Sequence, residues 1–145
     1  MDYYRGMKVL FIAGFGPIIT DVDQSRRLYV ATLKLPLKEE ADHYFHTESI
    51  EGVKHFALWP LSHAAKSCFG TDVWPSDVPV PTSWIEFDVE DVATATKELN
   101  ELGYKLLFSA REEPWKQVVT RFLSPEGVLT GITYTPWMRA AKPSS

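Results

Sequence analysis

The chain has 145 residues, 45% hydrophobic and 23% charged, enough apolar material for one globular domain with a real core. Its net charge of −4, without a basic stripe, argues against a nucleic-acid partner, and no apolar run approaches the roughly 20 residues of a membrane span. Cys68 is the single cysteine, which excludes a disulfide framework and a cysteine metal cluster and fits a reducing, cytoplasmic setting.

Residues 1–7 read as a loose lead-in. Residues 8–19 read as a strand containing Gly14 and Gly16, glycines of the kind that mark a bend or a close approach to the backbone. After a turn at 20–23, the spacing of Ser25, Leu28, Tyr29 and Thr32 predicts a helix over 24–34 with Arg26 and Arg27 outward, ended by Pro36. Residues 43–47 and 53–59 read as two strands joined by a short polar turn ending in Gly52. In the second of them Phe56 and Leu58 share one face, and His55, Ala57 and Trp59 the other.

The segment 61–82 holds a helical turn near 62–69 and then Gly70, Pro75, Pro79 and Pro81; proline this dense predicts a surface loop or lid. From Trp84 to Val89 the pattern alternates, with Ile85, Phe87 and Val89 on one face and Trp84, Glu86 and Asp88 on the other. At Asp91 the period changes to that of a helix, with Val92, Ala95, Thr96, Leu99 and Leu102 on one side and Gly103 as the stop. Strands follow at 105–109, 117–123 and 128–135, with a turn at 110–116 and a tight turn, Ser124-Pro125-Glu126-Gly127, between the last two. The tail from Ala140 reads as frayed.

The order strand, helix, strands therefore occurs twice. Sliding one half along the other by 70 residues sets Ile19-Thr20-Asp21 on Val89-Glu90-Asp91, and the change of period falls at the same place in both. The predicted fold class is α+β: two tandem βαβββ units, about 8–60 and 83–137, forming a curved mixed sheet. Both helices lie on its convex side and a concave ligand cup stays free.

The two units, Asp-Val-Asp-Gln-Ser-Arg-Arg-Leu-Tyr at 21–29, Gly103 after the second helix and Ser-Pro-Glu-Gly at 124–127 make the chain resemble the vicinal oxygen chelate superfamily. Its members include glyoxalase I, extradiol dioxygenases and bleomycin resistance proteins. The resemblance implies a cup-shaped site, usually in a homodimer, and in the enzymes a divalent metal held by His and Glu side chains. Carried over, those ligands fall on Gly14, Trp84 and Gly131, with a fourth near Ala57 to Trp59, where no carboxylate stands. No metal and no cofactor are therefore expected.

The remaining polar candidates are few. His43, His46, His55 and His63 lack metal-site spacing, although two on neighbouring strands can meet. Asp88 reads as a solvated strand-end residue, and Cys68 as a small packing residue. Glu86, mid-strand on the concave face, is the one candidate for a catalytic base, with Arg121 either pairing with it or anchoring an anion. The tryptophans carry the functional reading. Trp59 and Trp84 fall on the concave face, Trp74 and Trp115 lie in segments able to close over it, and Trp137 reads as packed at the sheet's end or a subunit interface. The expected ligand-binding set is Trp59, Trp84, Glu86, Trp115, Arg121, His55 and Trp74. Flat rings around a carboxylate suit a planar aromatic or cationic small molecule. The reading is a metal-independent homodimeric binder of the bleomycin-resistance type, sequestering or sensing such a ligand. The alternative is a glyoxalase-like lyase or isomerase using Glu86 as base. The two units of one chain leave a half-cup, so units from both copies are expected to complete each cavity.

Overall fold

The computed structural model describes residues 7–139; most of the lead-in and the tail from Ala140 lie outside the described residues. Eight strands make one sheet: β1 (Val9–Ile19), β2 (Lys38–Glu40), β3 (Tyr44–Thr47), β4 (Phe56–Pro60), β5 (Ser83–Val89), β6 (Leu106–Glu112), β7 (Val118–Leu123) and β8 (Leu129–Tyr134). Their order is β2-β3-β4-β1-β5-β8-β7-β6. β1 runs parallel to β4 and β5 parallel to β8, while β1 and β5 meet antiparallel at the centre. Each half is thus a βαβββ unit, and the two units join edge to edge within a single chain.

Helix α1 (Val22–Arg26) continues into a wider turn at Arg27–Thr32, and α3 (Val92–Glu101) is its counterpart. Both start the same way, because an aspartate at each N-cap accepts a backbone N–H of the first turn. Asp21 takes that of Gln24 at 3.0 Å, and Asp91 that of Thr94 at 3.1 Å. These caps are the residues that the offset of 70 superposes. α3 buries Val92, Ala95, Thr96 and Leu99 against Val89 and Ile132, the convex side of the second half. The alternation along β5 holds: Trp84 and Glu86 face the concave side, Ile85 and Phe87 the convex one.

Three expectations are corrected here. The segment after β4 is not a lid-like loop throughout, because it opens as a nine-residue helix, α2 (Leu61–Phe69), with Ala64, Ala65 and Cys68 buried. Arg111 of β6 ties that helix across the cup, donating to the Ser67 carbonyl at 2.9 Å. Asp88 is not solvated but fully buried, accepting from the Thr135 backbone and hydroxyl and from Arg139. Strand β6 also runs on to Glu112, through a left-handed residue at Ala110 (φ 44°), and leaves only a short turn before β7.

Candidate functional site

On the concave side the sheet and α2 enclose a cavity of about 970 Å³, lined from both halves of the one chain. Its floor is set by register. Gly14 of β1 pairs with Glu86 of β5, and Glu86 pairs with Gly131 of β8, so the carboxylate lies between two glycines. Both glycines are required by close approach. A Cβ on Gly14 would sit 2.7 Å from the His55 carbonyl and 3.0 Å from the Trp84 ring, and one on Gly131 would sit 3.0 Å from Glu86 Cγ. The absent side chains are what let the indole and the carboxylate lie down on the sheet.

Glu86 is fully engaged. Arg121 donates to its Oε2 at 2.5 Å and Gln117 to its Oε1 at 3.1 Å, and the Arg121 guanidinium lies 4.8 Å from the Trp59 ring centre. A partly buried carboxylate held by an arginine and an amide is a well-positioned acceptor. Cys68 is unsuited to nucleophilic work, because burial pushes its thiol up to about 11 despite the nearby charges of Arg121 and Arg111.

The expected ligand-binding residues divide by position. His55, Trp59, Trp84, Glu86, Trp115 and Arg121 all line the cavity. Trp84 is only 4% exposed and its indole N–H donates to the Ala57 carbonyl at 3.1 Å, so it belongs to the floor as much as to the core. Trp115 is 57% exposed and stands at the mouth, its N–H on Gln117 at 2.9 Å. Trp74 is the exception. It is packed edge-on against Phe69 and spends its N–H on the Val78 and Pro79 carbonyls, away from the cavity. A proline-rich loop that folds back on itself needs an internal anchor, and Trp74 supplies it.

Several lining residues lie outside the set expected from sequence. Trp137 stands at the mouth, 53% exposed, instead of packing away at the sheet's end. On the first-half wall, Glu48 joins two of the histidines: its Oε2 lies 2.8 Å from His46 Nδ1 and 2.6 Å from His55 Nδ1. The outer nitrogens are held too, His46 Nε2 by Glu40 at 2.8 Å and His55 Nε2 by the Tyr44 hydroxyl at 2.7 Å. Burial opposes charge on His46, but hydrogen bonds and charges from Glu48 and Glu40 outweigh it and raise its pKa. Burial also acts against Glu48, and the two histidines overcome it to hold that carboxyl low. The Tyr44 phenol is pushed up by burial and by Glu86, Glu48 and Glu40.

Residues 15–132 match the model of the Glyoxalase/Bleomycin resistance protein/Dioxygenase superfamily. The chain belongs to that superfamily. Its fold is similar to that of a glyoxalase/bleomycin resistance protein/dioxygenase superfamily member from Vibrio splendidus 12B01, at 15% identity and a TM-score of 0.56, covering 89% of this chain and 99% of that one. It is also similar to methylmalonyl-CoA epimerase from Mycobacterium tuberculosis, at 16% identity and TM-score 0.53 with coverage of 92% and 93%. A variant of the Streptomyces coelicolor methylmalonyl-CoA epimerase, in complex with 2-nitronate-propionyl-CoA, gives 16% and 0.52 with coverage of 89% and 99%. Among curated proteins, none matches the chain significantly. At these identities the likeness is one of fold.

The β5 residue in line with Gly14 and Gly131 is Glu86, while Trp84 pairs with Gly16 and Leu129. The row therefore offers one carboxylate between two glycines, and that carboxylate is already bound to Arg121. Three or four donors are needed for a divalent ion. The central positions of this superfamily member do not fit the metal that its enzymes carry there.

Proposed function

We propose that this superfamily member is a small-molecule-binding protein that sequesters or senses a planar aromatic or cationic ligand in its concave cavity. One observation carries the reading: a cavity of about 970 Å³ edged by Trp59, Trp84, Trp115 and Trp137, whose central charged groups, Glu86 and Arg121, are already paired with each other. Such a site offers flat apolar surface and fixed polar contacts but no free base or nucleophile at its centre. A lyase or isomerase working through Glu86 would have to take its proton on a carboxylate already bound by Arg121 and Gln117. A cytoplasmic setting suits the lone buried thiol of Cys68, and no helix among the described residues is long and apolar enough to cross a membrane.

Fluorescence titration with a panel of planar aromatic and cationic compounds tests the binding role. Trp115→Ala and Trp137→Ala, at the exposed mouth, are expected to weaken the best ligand by roughly 30-fold each, the ~2 kcal/mol of an aromatic hot spot, with unfolding unchanged. Turnover of that ligand by the wild type, abolished in Glu86→Gln, would overturn the binding reading in favour of the enzyme.

The protein acts as a homodimer in this reading, its partner copy lying over the central convex face. There Ile12 and Phe15 are 48% and 43% exposed, beside an apolar groove of about 650 Å³ that includes Phe56 and Phe122. Light scattering should return about twice the 16.5 kDa chain mass, and Phe15→Glu should return the single mass. A wild-type monomer at micromolar concentration would refute the dimer while leaving the cavity intact.

A further inference from the structure

The wall of the cavity formed by the first half holds a cluster that ligand stacking does not use. His46 lies on β3, which pairs it with Ala57 of β4, Glu48 follows in the β3–β4 connection, and His55 immediately precedes β4. Ligand atoms of these three residues all lie within 4.8 Å of one another, and all three residues line the cavity. We propose that His46, Glu48 and His55 form a binding site for a divalent first-row transition-metal ion, Zn²⁺ or a similar borderline ion, at the rim of the cavity.

Four features support the assignment. The donor set, two imidazoles and one carboxylate, is that of open zinc and non-haem iron sites, which keep further positions for water or a ligand. The inner nitrogens are the correct ones, because Nδ1 of both rings is turned toward the same Glu48 oxygen. With metal–ligand lengths of roughly 2.1 Å, tetrahedral donors stand about 3.4 Å apart. The present gaps of 2.8 and 2.6 Å then require Glu48 to withdraw by at least about 0.8 Å, and its side chain is half exposed and free to do so. Finally, each outer nitrogen already has the partner that a metal-bound histidine takes. Glu40 accepts from His46 Nε2 and the Tyr44 hydroxyl meets His55 Nε2, so both rings are oriented before any ion arrives.

This cluster is not the central row. Gly14, Glu86 and Gly131 lie on β1, β5 and β8, whereas these donors come from β3 and the connection that joins it to β4. An ion here would sit beside Trp84, whose ring centre is 6.2 Å from that of His55, and so against a molecule lying on the cavity floor. The expectation of no metal rests on the central positions and on the spacing of histidines along the chain, neither of which bears on this wall.

The test uses the full-length chain, stripped with chelator and titrated with Zn²⁺ by calorimetry and with Co²⁺ by visible absorption. The expected result is one ion per chain with micromolar or tighter affinity, d–d bands of low-coordinate Co²⁺, and a Zn²⁺-dependent rise in unfolding temperature. His46→Gln and His55→Gln should each abolish stoichiometric binding, and Glu40→Gln, which keeps every donor, should weaken it by about 10–100-fold. His43→Gln, a histidine outside the cluster, should change nothing. Circular dichroism of each variant separates lost binding from lost folding. Absence of binding at about millimolar Zn²⁺, or binding that survives in folded His46→Gln and His55→Gln, would overturn the site. Neither outcome touches the stacking role of Trp115 and Trp137, which is read by ligand titration of the metal-free chain.

Discussion

The two halves of this molecule share a topology and a helix cap, yet they bury their helices to very different degrees. α3 places Val92, Ala95, Thr96 and Leu99 in the interior, whereas neither α1 nor its continuation to Thr32 contains a buried residue. The cause is which residues fill the spacing, since Ser25, Leu28, Tyr29 and Thr32 repeat at the same offsets as Val92, Ala95, Thr96 and Leu99 but only two of them are apolar. Val92, Ala95, Thr96 and Leu99 fall at i, i+3, i+4 and i+7, a continuous apolar stripe. In the first half Leu28 stands 47% exposed, and the last turn widens so that the Leu33 N–H reaches the Leu28 carbonyl at 2.8 Å. Repetition of a fold is therefore carried by strand–helix alternation and capping, while coverage is decided residue by residue. The less covered half adjoins the exposed stretch of β1 at Ile12 and Phe15, where a second copy is proposed to lie.

The largest expected effect separates Asp88 from its counterpart 70 residues earlier, the apolar and buried Ile18. Asp88 is locked to Thr135 and Arg139, fastening the end of β8 and the segment beyond it to β5. Asp88→Ala should cost about 3–5 kcal/mol in urea unfolding, since it strands a partly buried arginine. Ile18→Val, the mild change at the matching site, should cost about 0.5–1.5 kcal/mol. Similar values at the two sites would show that the second half has no special lock.

Next comes the helix contrast. Leu99→Ala should destabilise by about 2–5 kcal/mol, and Leu28→Ala on the outer surface of the first helical segment by no more than about 0.5 kcal/mol. A large effect at Leu28 that grows with protein concentration would place that segment in the dimer contact. The floor of the cavity belongs to this class too. Trp84→Ala should cost about 3–5 kcal/mol of stability, as a core tryptophan does, because its ring and its N–H are both committed to the scaffold.

The smallest effect is a pH dependence at a cap. The backbone N–H of Thr94 holds the Asp91 carboxyl below its usual range. A carboxyl depressed in the folded state favours folding above its unfolded pKa, and that contribution is lost as pH falls through the folded value. Asp91→Asn, which keeps a capping oxygen without the charge, should flatten this part of the acid limb of the unfolding profile by slightly lowering stability at neutral pH while leaving stability in acid nearly unchanged. An acid limb identical to wild type would show that the cap is not felt as charge.

Much of the fold is legible in the chain. The change from period two to helical period at Asp21 and Asp91 locates both βα junctions, and the alternation of β5 assigns Trp84 and Glu86 to the concave face. The pairing of Glu86 with Arg121 is one of the two alternatives open to that arginine. The first-half wall is less legible, although a signal exists: Tyr44, His46 and Glu48 alternate on one face of β3 and its extension. Spacing along the chain hides the cluster, because His55 reaches the others across strands. Trp74 is misplaced for a related reason. Proline density marks a loop, but not whether its tryptophan folds over the cavity or back into the core.

The sequence by itself determined what is local here. Strand parity, caps, the turn at Ser124 to Gly127 and the duplicated βαβββ order all follow from the spacing of apolar and turn-forming residues within a few positions of one another. Only the tertiary structure decided which rows align across strands. Register set Glu86, and not Trp84, between Gly14 and Gly131, brought Arg121 and Gln117 onto its two oxygens, and gathered His46, Glu48 and His55 at one point. The physical reason is that side-chain parity is a property of one strand, whereas a site is a property of several. A slip of two residues keeps every side chain on its face and still exchanges the partners it meets.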